Sequence, residues 1–283
     1  MRQFDIVIAV GPNDVDYVHN QIKCTKKNII GYRNIYLIPY DPTFEVEGCI
    51  TVKESDFPFS KQTVEQYHGK LERNGWYLQQ LLKLYAGIVI PGILDRYLVI
   101  DSDTYFIKPT SFITDDNICL YSHGHNIHEP YFDHMSKLHT SLRRGSWGVD
   151  WSGICHHMMF ETKYVRELFD LVESDKSPGI YRKVHPDGTP MRFYEIFLES
   201  VNKEDITLSG ASEYELYFNY MLIYHPDSIK LRHLPNAEPQ LNHTGDPDPQ
   251  WKKKARLELG EKLVNNPPDQ CKEHNYISCH WYN

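Results

Sequence analysis

The 283-residue chain has no run of apolar residues near the roughly 20 needed to span a bilayer. Its first apolar stretch, Ile6–Val10, is too short for a signal-peptide core and reads as an opening strand. The chain also lacks a basic surplus. A formal net charge of −8 argues against nucleic acid as a partner, because nucleic-acid binders usually carry a basic face. It does not argue against an anionic substrate, since a bound cation can supply positive charge locally. No CxxC pair occurs among the six cysteines (Cys24, Cys49, Cys119, Cys155, Cys271 and Cys279), which argues against a zinc knuckle or a disulfide scaffold. Reduced thiols and a cytoplasmic protein, at most peripheral to a membrane, are the expectation. Internal repeats and low-complexity linkers are missing too. A content of 41% hydrophobic and 24% charged residues is that of a globular protein.

Apolar, β-branched runs at Ile6–Val10, Asn34–Ile38 and Tyr97–Ile100, with a shorter one at Cys49–Val52, alternate with helical or loop segments. Such alternation predicts an α/β fold with a mostly parallel sheet flanked by helices. The spacing of Leu71, Leu78, Leu81, Leu82 and Tyr85 predicts a helix over Lys70–Tyr85, ended by Ala86-Gly87. The pattern lapses over Ser122–Val149, a long loop with one short helix. Strand alternation returns at Trp151–Phe160. Helices are expected over Lys163–Glu173, from Ser212 to Leu222 and over Trp251–Leu263, with a strand at Ile229–Leu234. One domain is expected over 1–283, with a donor half (1–120) and an acceptor half with its tail (121–283).

Asp101 and Asp103 follow the buried-strand sequence Tyr97-Leu98-Val99-Ile100 at once. In extended backbone, residues i and i+2 face one side, so both carboxylates would point together and Ser102 away. Ligands of open α/β sheets bind beyond the carboxyl ends of the strands. Two hard oxygen donors there suit Mg²⁺ or Mn²⁺ bridging a diphosphate. The loop Val10-Gly11-Pro12-Asn13-Asp14, after the first strand, is not a GxGxxG loop, which excludes a dinucleotide fold of that type.

Leu94–Asp103 resembles the Asp-x-Asp strand of GT-A-fold glycosyltransferases. Gly75–Leu84 is similar to the preceding helix in a poorly characterised glycosyltransferase family from bacterial surface-polysaccharide loci and large DNA viruses, and Ser212–Tyr217 looks like that family's second motif. The resemblance covers the middle two-thirds of the chain. It implies a GT-A-like fold and metal-dependent hexosyl or pentosyl transfer from a UDP- or GDP-linked sugar, UDP favoured, to a glycan or glycoconjugate. Asp101 would contact the donor ribose or sugar, and Asp103 would bind the metal. Val10, Gly11 and Asn13 would sit beneath the base. The late residue His280 would be a third metal ligand, as in some GT-A enzymes.

Further candidates come from the residues themselves. Trp76, Gln80 and Lys83 lie on the helix entering the site, where Lys83 could neutralise diphosphate or orient Asp101. Ser212-Glu213-Tyr214-Glu215 matches the capping box S-x-x-E, so Glu215 would reach back to the Ser212 backbone and Glu213 would be the freer catalytic base, with Glu215 second. Asp150, Trp151, Ser152 and His156 are acceptor-binding candidates. Of His156 and His157, strand alternation lets one serve the site. His123, His125 and His128 form a cluster for which zinc is conceivable, though an ordinary loop is favoured. Arg143–Gly148 could close over the donor. Three other classes compete: a metal-dependent phosphohydrolase using the same aspartates, a nucleotidyltransferase, which would want a basic Gly-rich loop where this one is acidic, and a non-catalytic carbohydrate-binding module.

Overall fold

The computed structural model describes residues 3–145, 151–174, 183–238 and 249–279. Strand β1 (Phe4–Val10) leads through helix α1 (Val18–Asn28) and the short β2 (Ile29–Ile30) to β3 (Tyr32–Pro39) and β4 (Ile50–Thr51). Helices α2 (Lys61–His68) and α3 (Asn74–Val89) follow, then β5 (Arg96–Ile100), β6 (Thr104–Phe106), β7 (Thr110–Ser111) and β8 (Cys119–Ser122). Next come α4 (Glu129–Leu138), β9 (His157–Glu161), α5 (Thr162–Glu173), α6 (Phe193–Glu199) and α7 (Glu213–Tyr224). The chain continues with β10 (Ile229–Arg232), β11 (Asn236–Ala237), α8 (Pro249–Asn265) and β12 (Tyr276–Ser278).

The central sheet has the order β4-β3-β1-β5-β9. β4, β3, β1 and β5 run parallel, with Val7 opposite Val99, and β9 closes the edge antiparallel, with Ile100 opposite His157. All seven residues of β1 are buried. That is the mark of a strand covered on both faces, and it explains a continuous apolar run without alternation. One hydrophobic core runs through both halves of the chain, from Phe4 to Tyr276. The mixed α/β architecture with a mostly parallel sheet is the one the sequence predicts. All six cysteines are free. Among the described residues, no helix is long and apolar enough to cross a membrane.

Two local departures stand out. Helix α3 begins four residues later than its periodicity suggests and runs past Ala86-Gly87. Gly87 does not end the helix; it lets the helix close on the sheet. A Cβ there would lie 2.3 Å from Thr162 Oγ1 and 2.5 Å from Tyr97 Cε1. The segment 151–156 is not strand, since β9 starts only at His157 and His156 sits at a φ of 60°. The loop expected after Ser122 does hold one helix, α4.

A three-stranded sheet, β11-β12-β6, starts directly after the aspartate pair. Ser278 lies opposite Thr104, and Ile277 lies beside Ala237. The C-terminal strand is thereby fastened beside Asp103, whose carbonyl accepts a bond from Cys279 N–H at 2.9 Å.

Candidate functional site

The parallel strands β1 and β5 end side by side, and a cavity of about 660 Å³ opens beyond their carboxyl ends. The loop after β1 (Gly11 to Asp14), the turn after β5 (Asp101 to Asp103) and one face of α3 line it, with Trp76, Gln79 and Lys83 facing inward. Gly11 comes close to α3: a Cβ there would lie 2.9 Å from Nε2 of Gln79, at the far end of that side chain. Arg73 holds the cavity's far wall by donating to Leu208 O and Ser209 Oγ, each at 2.6 Å.

The aspartate segment is a turn, not extended chain, with Thr104 N–H bonding Asp101 O at 3.0 Å. Strand alternation therefore does not govern it. All three side chains belong to the cavity region, and Ser102, expected to point away, donates to Asp14 Oδ2 at 2.9 Å.

Asp101 is held from three sides. Its Oδ1 accepts from Lys83 Nζ at 2.5 Å and from Tyr214 O–H at 2.6 Å, and its Oδ2 lies 3.3 Å from His156 Nδ1. Burial opposes its charge, yet Lys83 and His156 together hold the carboxyl well below the ordinary range. Lys83 also bonds Glu213 Oε1 at 2.7 Å. Burial would lower the Lys83 pKa, but its two carboxylate partners raise it, so it stays charged. Of the two roles expected for Lys83, the geometry favours orienting Asp101. Glu213 does not open on the cavity, and its side chain is only 4% exposed. Its pKa is raised by burial, with Lys83 pulling the other way. Gln80 backs this pair, its Oε1 accepting from Glu213 N–H at 3.1 Å.

The capping box forms by half. Ser212 Oγ accepts from Glu215 N–H at 3.1 Å. The Glu215 side chain does not return to Ser212. It accepts from Ser152 Oγ at 2.9 Å and Gly153 N–H at 2.8 Å, and from Asn219 Nδ2 at 3.1 Å. It thereby fixes the 152–153 bend against α7, where a Cβ on Gly153 would lie 2.5 Å from Phe218 Cβ. Ser152, an acceptor candidate, is fully buried by this arrangement, and Trp151 packs half-buried against the His123 ring. Val10 is core. Asp150 and His280 lie outside the described residues, as does half of the Arg143–Gly148 segment.

His156 and His157 do part company, as alternation required, although only His157 is in the strand. His157 is buried against Ser122 Oγ at 3.0 Å. His156 turns back to the site, with Nδ1 towards Asp101 and Nε2 3.4 Å from Glu238 Oε1. Burial works against its proton, but the bonds to Asp101 and Glu238 outweigh it, and its pKa is pushed up to about 9. The histidine cluster regroups: His128 leaves to meet Ser209 O, and His233 joins His123 and His125. Among the described residues, no group of three or more His, Cys, Asp or Glu side chains is arranged to hold a metal ion.

Four residues had no role of their own in the sequence reading. Asp14 stands across from Asp103, and its pKa rises to about 6, chiefly from burial and then from the Asp103 charge, with Arg256 and Ser102 opposing. Arg256 of α8 is 1% exposed, 3.5 Å from Asp14 and 3.6 Å from Asp103, with its guanidinium 4.3 Å over the Tyr17 ring. Tyr214 and Glu238 complete the set around Asp101 and His156. Asp14 carried a signal, its place just after β1. Arg256 sits in a run of basic helix residues that reads as a solvated face.

With this geometry in hand, the chain can be set beside known proteins. Residues 2–265 match a family of unknown function, DUF6492, and the chain belongs to that family. No curated protein matches it. Similar solved structures include mouse xyloside xylosyltransferase 1 in its apo form, at 9% identity and a TM-score of 0.44, covering 98% of this chain and 97% of that one. Another is the galactosyltransferase LgtC in complex with donor and acceptor sugar analogues, at 10% identity and a TM-score of 0.42, covering 98% of this chain and 87% of that one. Likenesses this distant leave substrate and metal to the site's own geometry.

Proposed function

We propose that the protein is a GT-A-like glycosyltransferase that moves a hexosyl or pentosyl group from a nucleoside-diphosphate sugar, UDP favoured, to a glycan or glycoconjugate acceptor. The observation that carries this reading is the cavity beyond β1 and β5 with Asp103 and the Lys83-braced Asp101 on its wall. Its volume of about 660 Å³ falls within the usual range for small-molecule sites.

In this reading the base lies over the loop Gly11 to Asn13, with Trp76 along α3 as a further wall. Asp101, immobilised by Lys83, Tyr214 and His156, meets the donor ribose or sugar. A divalent cation fits the acid cluster. Asp14 and Asp103 are close enough for one to raise the other's pKa, a concentration of negative charge that a cation relieves. Since both Asp101 oxygens are engaged, Asp103 is the carboxylate we assign to Mn²⁺ or Mg²⁺, with His280 the proposed companion. One or two carboxylates completed by phosphate and water is a usual environment for Mg²⁺. When bound, the ion stabilises the charge gathering on the departing diphosphate. The protein's own part is to orient the donor through Asp101 and to keep that carboxylate ionised through Lys83.

The test is calorimetry or thermal shift with nucleoside diphosphates and nucleotide sugars, with and without Mn²⁺. Stabilisation by a UDP or GDP species that needs Mn²⁺ and is lost in Asp103→Ala is the expected result. No nucleotide response under any metal condition would sink the proposal.

A further inference from the structure

The reaction proposed above makes a bond from an acceptor hydroxyl to the anomeric carbon, and the hydroxyl proton must go somewhere. The two glutamates that the sequence offers for it are poorly placed. Glu213 is 4% exposed and tied to Lys83. Glu215 is 1% exposed and holds the 152–153 bend. A base must come within hydrogen-bond reach of the proton it takes, and an acceptor cannot approach either group without dismantling α7's packing.

Glu238 differs. Its side chain is 42% exposed, against 21% for Asp101, yet it is joined to the donor side through the His156 imidazole. His156 lies between them, Nδ1 3.3 Å from Asp101 and Nε2 3.4 Å from Glu238. The backbone on both sides of this bridge is specified. A non-glycine residue at positive φ is uncommon and worth a functional explanation, and His156 takes a φ of 60° one residue before β9. Its carbonyl there accepts from Asp101 N–H at 3.0 Å, which fixes the imidazole beside Asp101. Glu238 follows Ala237, which pairs with Ile277 in the small sheet; the next rung of that sheet sets Ser278 opposite Thr104, the residue after Asp103. Glu238 thus stands at the level of the aspartate turn, two strands across from it.

We propose that Glu238 is the acceptor-side carboxylate of this enzyme, receiving the acceptor hydroxyl and taking its proton, with His156 as the residue that positions it. The assignment rests on the glycosyl-transfer reading. The acceptor oxygen forms a bond to the anomeric carbon, and the bond from that carbon to the diphosphate breaks with its electron pair leaving on the phosphate oxygen. The acceptor's proton passes to a Glu238 carboxylate oxygen, and solvent removes it afterwards. His156, between two carboxylates, keeps Glu238 turned to the donor rather than to bulk water.

Two measurements on the full chain separate this from failure of the parent reading. The first is Mn²⁺-dependent thermal stabilisation by UDP, in wild type, Glu238→Gln and Glu238→Asp. The second is UDP release from a panel of UDP-sugars, with water and free monosaccharides as acceptors, followed against pH. The expected result is that Glu238→Gln binds UDP as wild type does and keeps its donor KM. Its kcat should fall by about 10²–10⁴-fold, the usual contribution of a positioned base. The decline of kcat towards acid pH expected of wild type should vanish, and Glu238→Asp should recover part of the rate. His156→Gln should lower kcat less than Glu238→Gln while leaving that acid limb in place. A Glu238→Gln variant that binds UDP and retains kcat within twofold overturns the assignment. So does loss of UDP binding in that variant, which would put Glu238 in the donor site. Where wild type responds to GDP instead, the same comparison is made with GDP and GDP-sugars; no response to either nucleotide overturns the parent reading and the assignment with it, before any variants are compared.

Discussion

Replacing Lys83 by methionine keeps most of the stem and removes the charge, leaving Asp101 and Glu213 to share a buried corner without their common cation. Lys83 is 10% exposed at its side chain and Glu213 4%. Removing one partner of a buried pair costs about 3–5 kcal/mol, because an uncompensated charge remains. Protonation limits that cost. Glu213 starts from an ordinary value of 4.5. At 1.36 kcal/mol per pH unit, neutralising such a group costs about 5 kcal/mol at pH 8 and about 2 kcal/mol at pH 6. The deficit of Lys83→Met should therefore be about 3–5 kcal/mol at pH 8 and fall to about 1–2 kcal/mol near pH 5.5.

The sign follows from both carboxyls. Glu213 is already raised above its unfolded value by burial, and losing Lys83 raises it further. A raised group favours folding most below its unfolded pKa, and that contribution is lost as pH climbs through the folded value. Asp101 is depressed in wild type, so its contribution is present above the unfolded value and lost in acid. Without Lys83 that contribution shrinks, and the gap between wild type and variant narrows as pH falls. Urea denaturation at pH 5.5, 7 and 8, with m-values compared, measures the gap. The double variant Lys83→Met/Glu213→Gln should regain part of it at pH 8. A deficit below about 1 kcal/mol at pH 8, or one that does not change with pH, would refute the idea that Lys83 is the counter-ion of this corner.

Other perturbations probe the cavity and the helix beside it. Asp14 is raised from 3.8 to about 6, so its ionised form costs the metal-free fold stability above that pH. Asp14→Asn should stabilise the fold in EDTA at pH 8, read as a higher melting temperature, by up to about 3 kcal/mol less whatever the Arg256 contact contributed, and leave it nearly unchanged at pH 4. Equal shifts at both pH values would count against it. Gly87→Ala should destabilise by about 1–3 kcal/mol through overpacking against Tyr97 and Thr162. Helix propensity alone predicts a gain of up to about 1 kcal/mol, so the direction of change in chemical denaturation decides between them.

What the sequence made legible were features carried by contiguous residues. β1 and β5 announce themselves as unbroken apolar runs, and the acidic turn after β5 follows because strand ends and ligand sites coincide in parallel sheets. Nothing comparable marks the partners of that turn. Lys83 and Glu213 are 130 residues apart, and whether Glu213 faces acceptor or a buried ammonium depends on how α3 and α7 cross. The capping-box pattern around Ser212 failed for a related reason. A local rule gave Glu215 a local partner, but Ser152 and Gly153 from a distant bend offered better hydrogen bonds. The acidic segment lines the cavity as a turn and not as a strand, since Asp101 and Asp103 flank Ser102, which faces Asp14. Each of these departures runs the same way. Carboxylates that look available in the sequence are taken up by cations or donors from elsewhere in the fold: Asp101 by Lys83, Glu213 by Lys83, and Asp103 and Asp14 by Arg256. The proposed nucleotide-sugar site would need this. It must gather several acids to hold a cation and a donor, and that gathering is stable before either arrives only if the protein brings its own positive charges. Among these acids the side chain of Glu238 keeps the most solvent contact, at 42%, against 21% for Asp101, 18% for Asp14 and 17% for Asp103, so in the proposed reading it meets the acceptor while the aspartates face the donor.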